Sequence, residues 1–418
     1  MKSSHAMAFG ATVLVGLSAC GSSSSGTANK GTISIGVELP ESGKEASNGL
    51  PTLNGVKFAV QKAVSIKGFT LAVVNKDDAV NGSHNATKGA QNIRDLAADS
   101  TVLGEIGPFN SGVAQAEIPV ANAQSLTMIS PANTSECLTQ AFPAPECAFQ
   151  PSDLRPNGKN NYFRTAATDL QQGPALADYA YTTLKLRKVA VASDNQTYGK
   201  GIATNFAKEF VTKGGTLALP QKDIDSLTTN DFKSLLNSMK AAGADGLYFG
   251  GTDSDNVCVA RKQMADVAFN VPFMGGDGIV TSQCITDAAA NVDNMFGTTA
   301  AGDPRTLPAA ASLIADYKKS FPAATDFGAY TIPAYDDATI LIQAIGRAID
   351  DAGGKMPTRE QVRAQVAQTS YQSVLGTIGF DSNGDTTNRI VSIYKIGASP
   401  GLTGATPKDW LWVAQVKK

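Results

Sequence analysis

Short runs of consecutive apolar residues alternate along this chain with segments whose apolar positions recur every three or four residues. Thr32–Glu38, Phe69–Val74, Val102–Ile106, Leu126–Ser130, Lys188–Ala192, Leu247–Phe249 and Val271–Met274 read as buried strands. Between them, Val56, Ala59, Val60 and Ala63 stripe one face of a helix over Asn54–Val64. A second helix, capped by Ser83 or Asn85, runs to Leu96. Another opens near Ser111, one runs to Leu184, one starts near Gly199, and Phe232, Leu235, Leu236 and Met239 mark a further one that Gly243 ends. Strands joined by helices of this length form right-handed βαβ units around a parallel sheet. The alternation restarts after Asp169, which predicts two α/β halves. Arg305–Thr369 reads as mostly helical.

Polar chemistry gathers where these strands end. After Val102–Ile106 the chain reads GPFNSG, with Ser111 where loop becomes helix, beside backbone N–H groups that lack intrahelical partners. After Leu126–Ser130 comes Pro131-Ala132-Asn133-Thr134. Lys188–Ala192 ends in SDNQTYGKG, and Val271–Met274 ends in Gly275-Gly276-Asp277-Gly278. In open α/β sheets, ligands bind at the carboxyl ends of strands. Taken singly, Ser111 is a helix cap, Thr134 a turn residue, Tyr198 a packing tyrosine and Asp277 a turn aspartate.

In order along the chain, GPFNSGVA, ISPANTS, the Y-G-x-G turn at Tyr198 and the GGDG loop resemble the signature of type I periplasmic solute-binding proteins. The resemblance is to the branched-chain amino acid (Leu/Ile/Val) binding family of ABC transporters, in lipoprotein form, and covers about Thr32 to the C-terminus. It implies two Rossmann-like lobes with mostly parallel central sheets, joined by a three-crossover hinge. Lobe 1 would hold residues 32–166 and 301–369, and lobe 2 residues 167–300 and 370–418. It further implies that Ser111, the Ala132 backbone and Thr134 hold an α-carboxylate, while Tyr198 and Asp277 hold an α-ammonium from the other lobe. Asp277 stands where the family usually has Glu. Asn48 and Thr252 stand where the family lines its side-chain pocket with aromatic residues, so the pocket is expected to be more polar. Lys44 and Glu45 lie within reach of the cleft, but the reading preferred for them is solvated loop charges. The implied cycle is hinge closure around a small zwitterion, read by a membrane permease, with the binding protein a monomer.

The first twenty residues carry one Lys, an apolar run too short to span a bilayer, and Leu17-Ser18-Ala19-Cys20. This resembles a bacterial lipobox, with residues 1–19 a signal peptide and Cys20 acylated. Residues 20–31 then form a Gly/Ser tether. The expected location is extracytoplasmic, anchored to the membrane by lipid. Removing residues 1–19 from 418 leaves 399, natural for two domains. Four further cysteines, Cys137, Cys147, Cys258 and Cys284, allow two disulfides in three pairings. Cys137–Cys147 with Cys258–Cys284 keeps each bridge within one implied lobe.

Other classes lack their chemistry. Net charge is −2 with no basic patch, so nucleic acid is not an expected partner. No G-x-G-x-x-G follows a strand, no P-loop or G-x-S-x-G elbow occurs in the mature chain, and His84 is its sole histidine. No C-x-x-C occurs, so zinc is not expected, and no cofactor is. Asp77/Asp78, Asp336/Asp337 and Asp350/Asp351 read as caps or solvated faces, and Asp381–Asp385 as a turn. The competing reading to transport is a sensor module for amides or other small solutes.

Overall fold

The computed structural model describes residues 29–144, 146–323 and 327–417. Cys20 and residues 1–28 lie outside the described residues. The first run of elements is β1 (Thr32–Leu39), α1 (Ala46–Ala63), β2 (Ser65–Ile66), β3 (Phe69–Asp77), α2 (Ala86–Ala98), β4 (Val102–Ile106), α3 (Ser111–Ala123), β5 (Thr127–Ser130) and β6 (Tyr162–Arg164). These strands form one sheet in the order β2-β3-β1-β4-β5-β6, parallel except for the β2–β3 edge. Asn85 caps α2 by accepting from the Lys88 N–H at 2.9 Å.

The second run is α4 (Asp169–Thr182), β7 (Lys188–Ser193), α5 (Thr197–Thr212), β8 (Thr216–Leu217), β9 (Lys222–Asp223), α6 (Lys233–Ala241), β10 (Gly246–Gly250), α7 (Val257–Asp266), β11 (Phe273–Gly275), α8 (Ser282–Ala288) and β12 (Met295–Thr299). Then follow α9 (Ala311–Ser320), α10 (Thr331–Asp351), α11 (Arg359–Val366), the hairpin β13 (Ser370–Ser373) and β14 (Gly376–Gly379), β15 (Ile390–Ala398) and β16 (Lys408–Lys417). The second sheet has the order β16-β15-β12-β11-β10-β7-β8, with β9 also on β7. Its centre is parallel, and β15 and β16 extend one edge antiparallel. The fold is thus α/β with two mixed, mostly parallel sheets.

Strand β1 is buried on both faces, as a central parallel strand should be. Ile33, Ile35, Val37 and Leu39 pack with Val56 and Ala59 of α1 and with Ala334, Ala338, Leu341 and Ile345 of α10. The α10 positions recur at four, three and four residues, the spacing of one helix face. So α10, which begins more than 160 residues after β6, closes one side of the first sheet. By contrast, Tyr317 of α9 packs in the cluster containing Trp410 and Leu402 beside the second sheet.

Two sequence expectations change here. Asp336 and Asp337 are buried on α10 instead of solvated, and burial pushes both carboxyls up, Asp336 to about 7. Asp78 is fully buried as well. Asp337 lies beside the helix face that takes Ala334, Ala338 and Leu341 into the core, whereas Asp336 points the other way and is buried against the β13 hairpin, where Ser373 Oγ donates to it. The disulfides are Cys137–Cys147, within the loop after β5, and Cys258–Cys284, which joins α7 to α8, with Cα–Cα distances of 5.6 and 5.2 Å. No helix among the described residues is long and apolar enough to cross a membrane.

Candidate ligand cleft

Five strand ends converge on one cavity. It is lined by Phe109, Asn110, Ser111, Ala132, Thr134, Tyr198, Thr252, Asp277 and Gly278. Phe109 to Ser111 follow β4, and Ala132 and Thr134 follow β5, both of the first sheet. Tyr198 lies in the first turn of α5 after β7, Thr252 follows β10, and Asp277 and Gly278 follow β11, all of the second sheet. A parallel strand that feeds a helix leaves its carboxyl end unpaired, so both sheets present exposed backbone and turn side chains at the same edge. The cavity measures about 10 Å³, the room of a single water. The walls are therefore almost in contact.

On the first-sheet wall, Ser130 Oγ shapes the turn. It donates to the Pro108 carbonyl at 2.7 Å and accepts from the Asn133 N–H at 2.9 Å. The Ala132 N–H reaches the same oxygen only at 3.3 Å. Ser111 is the first residue of α3, and its Oγ accepts from the Ser135 N–H at 3.3 Å. Thr134 is fully buried, with its hydroxyl beside Asp169. Asp169 is pushed well up, first by burial and then by the nearby Glu136 and Asp277 carboxyls.

On the opposite wall, Asp277 is the hub. Its Oδ1 accepts from Tyr198 Oη at 2.7 Å and from Gln172 Nε2 at 2.8 Å, and its Oδ2 accepts from Tyr330 Oη at 2.6 Å. Burial raises its carboxyl above the ordinary range, and the three donors oppose that rise. Oδ2, with one donor, keeps a lone pair for a further one. Gly276 makes this approach possible, because a Cβ there would overlap the Tyr198 hydroxyl. Tyr330, just before α10, also accepts from the Ala300 N–H at 3.2 Å and meets Phe109 edge-on at 5.5 Å.

Six of the seven ligand residues expected from sequence thus line one cavity: Ser111, Ala132, Thr134, Tyr198, Thr252 and Asp277. Asn48 is not among the lining residues. It sits in the first turn of α1, where its carbonyl accepts from Thr52 Oγ1. Sequence reasoning missed Tyr330, Gln172 and Asn110, since neither GAYTIP nor LQQG carries a signal readable without the fold.

Glu45 is the clearest correction. It is fully buried instead of solvated, because four donors surround it. They are Asn110 Nδ2 at 2.6 Å, Ser254 Oγ at 2.7 Å, and the His84 ring Nδ1 and backbone N–H at 2.8 and 3.2 Å. Burial works against its charge, but His84 and these hydrogen bonds hold it down to about 2. Burial would likewise lower His84, yet Glu45, Asp255 and Asp78 lift it to about 10. Lys44 reaches across too, to Asn256 Oδ1 at 3.1 Å and Asp287 at 3.4 Å. Among the described residues no group of three or more His, Cys, Asp or Glu side chains is arranged to hold a metal ion.

The cavity thus lies between the strand ends of two sheets, and comparison with known proteins gives the family. A family model described as periplasmic binding protein matches residues 32–400. The Leu/Ile/Val-binding protein homolog 1 of Brucella melitensis biotype 1 is 29% identical over 357 residues, covering 84% of this chain and 86% of the relative. A Leu/Ile/Val-binding protein of Rhizobium johnstonii is 28% identical over 376 residues, 87% of this chain and 91% of its own. Among solved structures, a leucine binding protein from Thermotoga maritima superposes with a TM-score of 0.75 at 23% identity, covering 92% of this chain and 99% of the other. A solute binding protein of an ABC transporter from R. palustris, in complex with 4-hydroxybenzoate, gives 0.75 at 20% identity over 92% and 97%. These are binding proteins and not enzymes. The chain belongs to the periplasmic binding protein family and has the two-sheet α/β fold of its type I members.

Proposed function

We propose that this protein is the extracytoplasmic solute-binding component of an ABC importer, and that its cleft captures a small amino acid or a related zwitterion. The reading takes residues 32–166 with 301–369 as one lobe and 167–300 with 370–418 as the other, hinged by three crossovers. The observation that carries it is the division of chemistry across the cavity. Hydroxyls and a helix start at Ser111, Ala132 and Thr134 suit a carboxylate. The Asp277 carboxylate, framed by Tyr198 and Tyr330, suits an ammonium. A zwitterion would gain full contact with both walls only when they close, which couples binding to closure.

The similar proteins are named for leucine, isoleucine and valine, or were solved with 4-hydroxybenzoate. Both ligand types carry a carboxylate, but only the amino acids offer a cation to Asp277. In a thermal-shift screen of the purified protein, one or more amino acids should raise the melting temperature and 4-hydroxybenzoate should not. A ligand at 100 times its Kd adds about 2.7 kcal/mol of stability. Shifts from aromatic acids alone would remove the ammonium role of Asp277.

The closed shape would be read by permease subunits. Leu17-Ser-Ala-Cys20 supports acylation of Cys20, which would keep a monomeric binder beside them. Labelled palmitate fed to expressing bacteria should enter the wild-type protein and not Cys20→Ala. Equal labelling of the two would rule out that anchor.

A further inference from the structure

The end of the cleft bounded by Asn110 and Thr252 can be read proton by proton. Asn110 occupies the N-cap of α3, a position whose side-chain oxygen ordinarily accepts from the helix backbone. Here it makes no such bond. Its Nδ2 is drawn instead to Glu45 Oε1, 2.6 Å away. An ionised carboxylate only accepts, so the orientation of the amide is determined by its partner. That leaves Asn110 Oδ1 without a hydrogen bond, on a residue only 6% exposed that lines the cavity.

The opposite wall is organised by the same carboxylate. Ser254 Oγ lies 2.7 Å from Glu45 Oε2 and must spend its one proton there. Thr252 Oγ1 lies 2.9 Å from Ser254 Oγ, which has no second proton to offer. Thr252 therefore donates to Ser254, or to the Asp255 carboxyl beside it. In either case the Thr252 hydroxyl proton is committed within the protein, so toward a ligand in the cavity that Thr252 lines the hydroxyl can only accept. His84, bonded to Glu45 through ring and backbone, supplies the countercharge that keeps Glu45 ionised.

We propose that Asn110 Oδ1 and Thr252 Oγ1 form an acceptor-only subsite that selects ligands whose side chain carries an O–H or N–H donor, with Glu45 as its positioning residue. The inference rests on the reading of the cleft as a zwitterion site and adds the ligand's side-chain chemistry to it. An aliphatic side chain of the same shape would leave both buried acceptors unpaired, the situation in which hydrogen-bonding pockets discriminate most sharply.

The test uses isosteric pairs, L-threonine against L-valine and L-asparagine against L-leucine, titrated calorimetrically into the purified protein. The expected result is a preference of at least about tenfold for the donor-bearing member of a pair. Asn110→Leu should abolish that preference. Thr252→Val, which keeps the side-chain shape, should reduce it even if Asn110→Leu fails to fold. Glu45→Gln should also reduce it, because an amide can donate and so releases the protons of Ser254 and Thr252. A role for Glu45 in stability alone would lower the melting temperature without moving the affinity ratio. Valine and leucine binding as well as or better than their partners would overturn the subsite while leaving the zwitterion reading intact. Binding of none of the four to a folded sample would count against both.

Discussion

Asp277→Asn is expected to weaken binding of the cognate amino acid by a factor of about 30 or more. Removing one member of a buried, hydrogen-bonded charge pair costs about 2–5 kcal/mol. The substitution preserves volume, and its amide oxygen can still accept from two of the three donors that converge on the site, so the fold should survive. The loss should be the same for threonine and valine, since both carry the same ammonium. Isothermal titration of wild type and variant measures it. The carboxyl of Asp277 is raised by burial, so affinity should also fall as the pH drops and the group takes up a proton. Asparagine would show no such dependence from this position. An unchanged Kd in the variant would mean that the ammonium, if present, is held elsewhere.

Thermal stability is expected to fall from about pH 5 to pH 8, and the reason lies away from the cleft. Glu38, Glu105 and Glu117 are fully buried together beneath the first sheet, with Asp78 close by. Asn92 Nδ2 donates to Glu38 at 3.0 Å, while Glu117 faces Glu38 as a second carboxyl. Burial, then the neighbouring acids, push Glu105, Glu117 and Asp78 well up, and burial first of all takes Glu38 to about 7. Asp336 at about 7 and Asp253 at about 8 behave alike.

For each of these groups the folded protein holds a proton that the unfolded chain releases near its ordinary value. The stabilisation is complete below that value and is lost as the pH rises through the folded one. A move from 4.5 to about 7, as at Glu38, corresponds to roughly 3 kcal/mol, shared with the neighbouring acids that titrate with it. Glu45, held down to about 2, has the opposite sign, but its contribution disappears only below its ordinary value of 4.5. Calorimetric melts at pH 5, 6, 7 and 8 should therefore decline steadily. Glu117→Gln, which cannot ionise, should flatten the decline and melt higher than wild type at pH 8. A melting temperature that climbs over this range would contradict the shared-proton account.

The sequence by itself determined the alternation of strands and helices, and with it the strand ends on which a site could form. Ser111, Thr134, Tyr198 and Asp277 each come shortly after an apolar run, so their place at a strand end follows from local pattern, while their grouping as ligand residues came from the family resemblance. The residues that support them were not readable in that way. Gln172 meets Asp277 across 105 positions, Tyr330 across 53, and Glu45 meets Ser254 across 209. Nothing local marks such pairs.

An acid in a loop is ordinarily solvated, because burying an unpaired charge costs several kcal/mol. Glu45 departs from that rule only because the two sheets bring Asn110, Ser254 and His84 around it. The same reasoning covers Asp336 and Asp337, because α10 is covered on both sides, by the first sheet next to Asp337 and by the β13 hairpin over Asp336. Local sequence determines which side chains a turn can offer. Only the tertiary structure decides which of them leave water, and leaving water is what changes a carboxylate from a surface charge into a proton store or the organiser of a pocket.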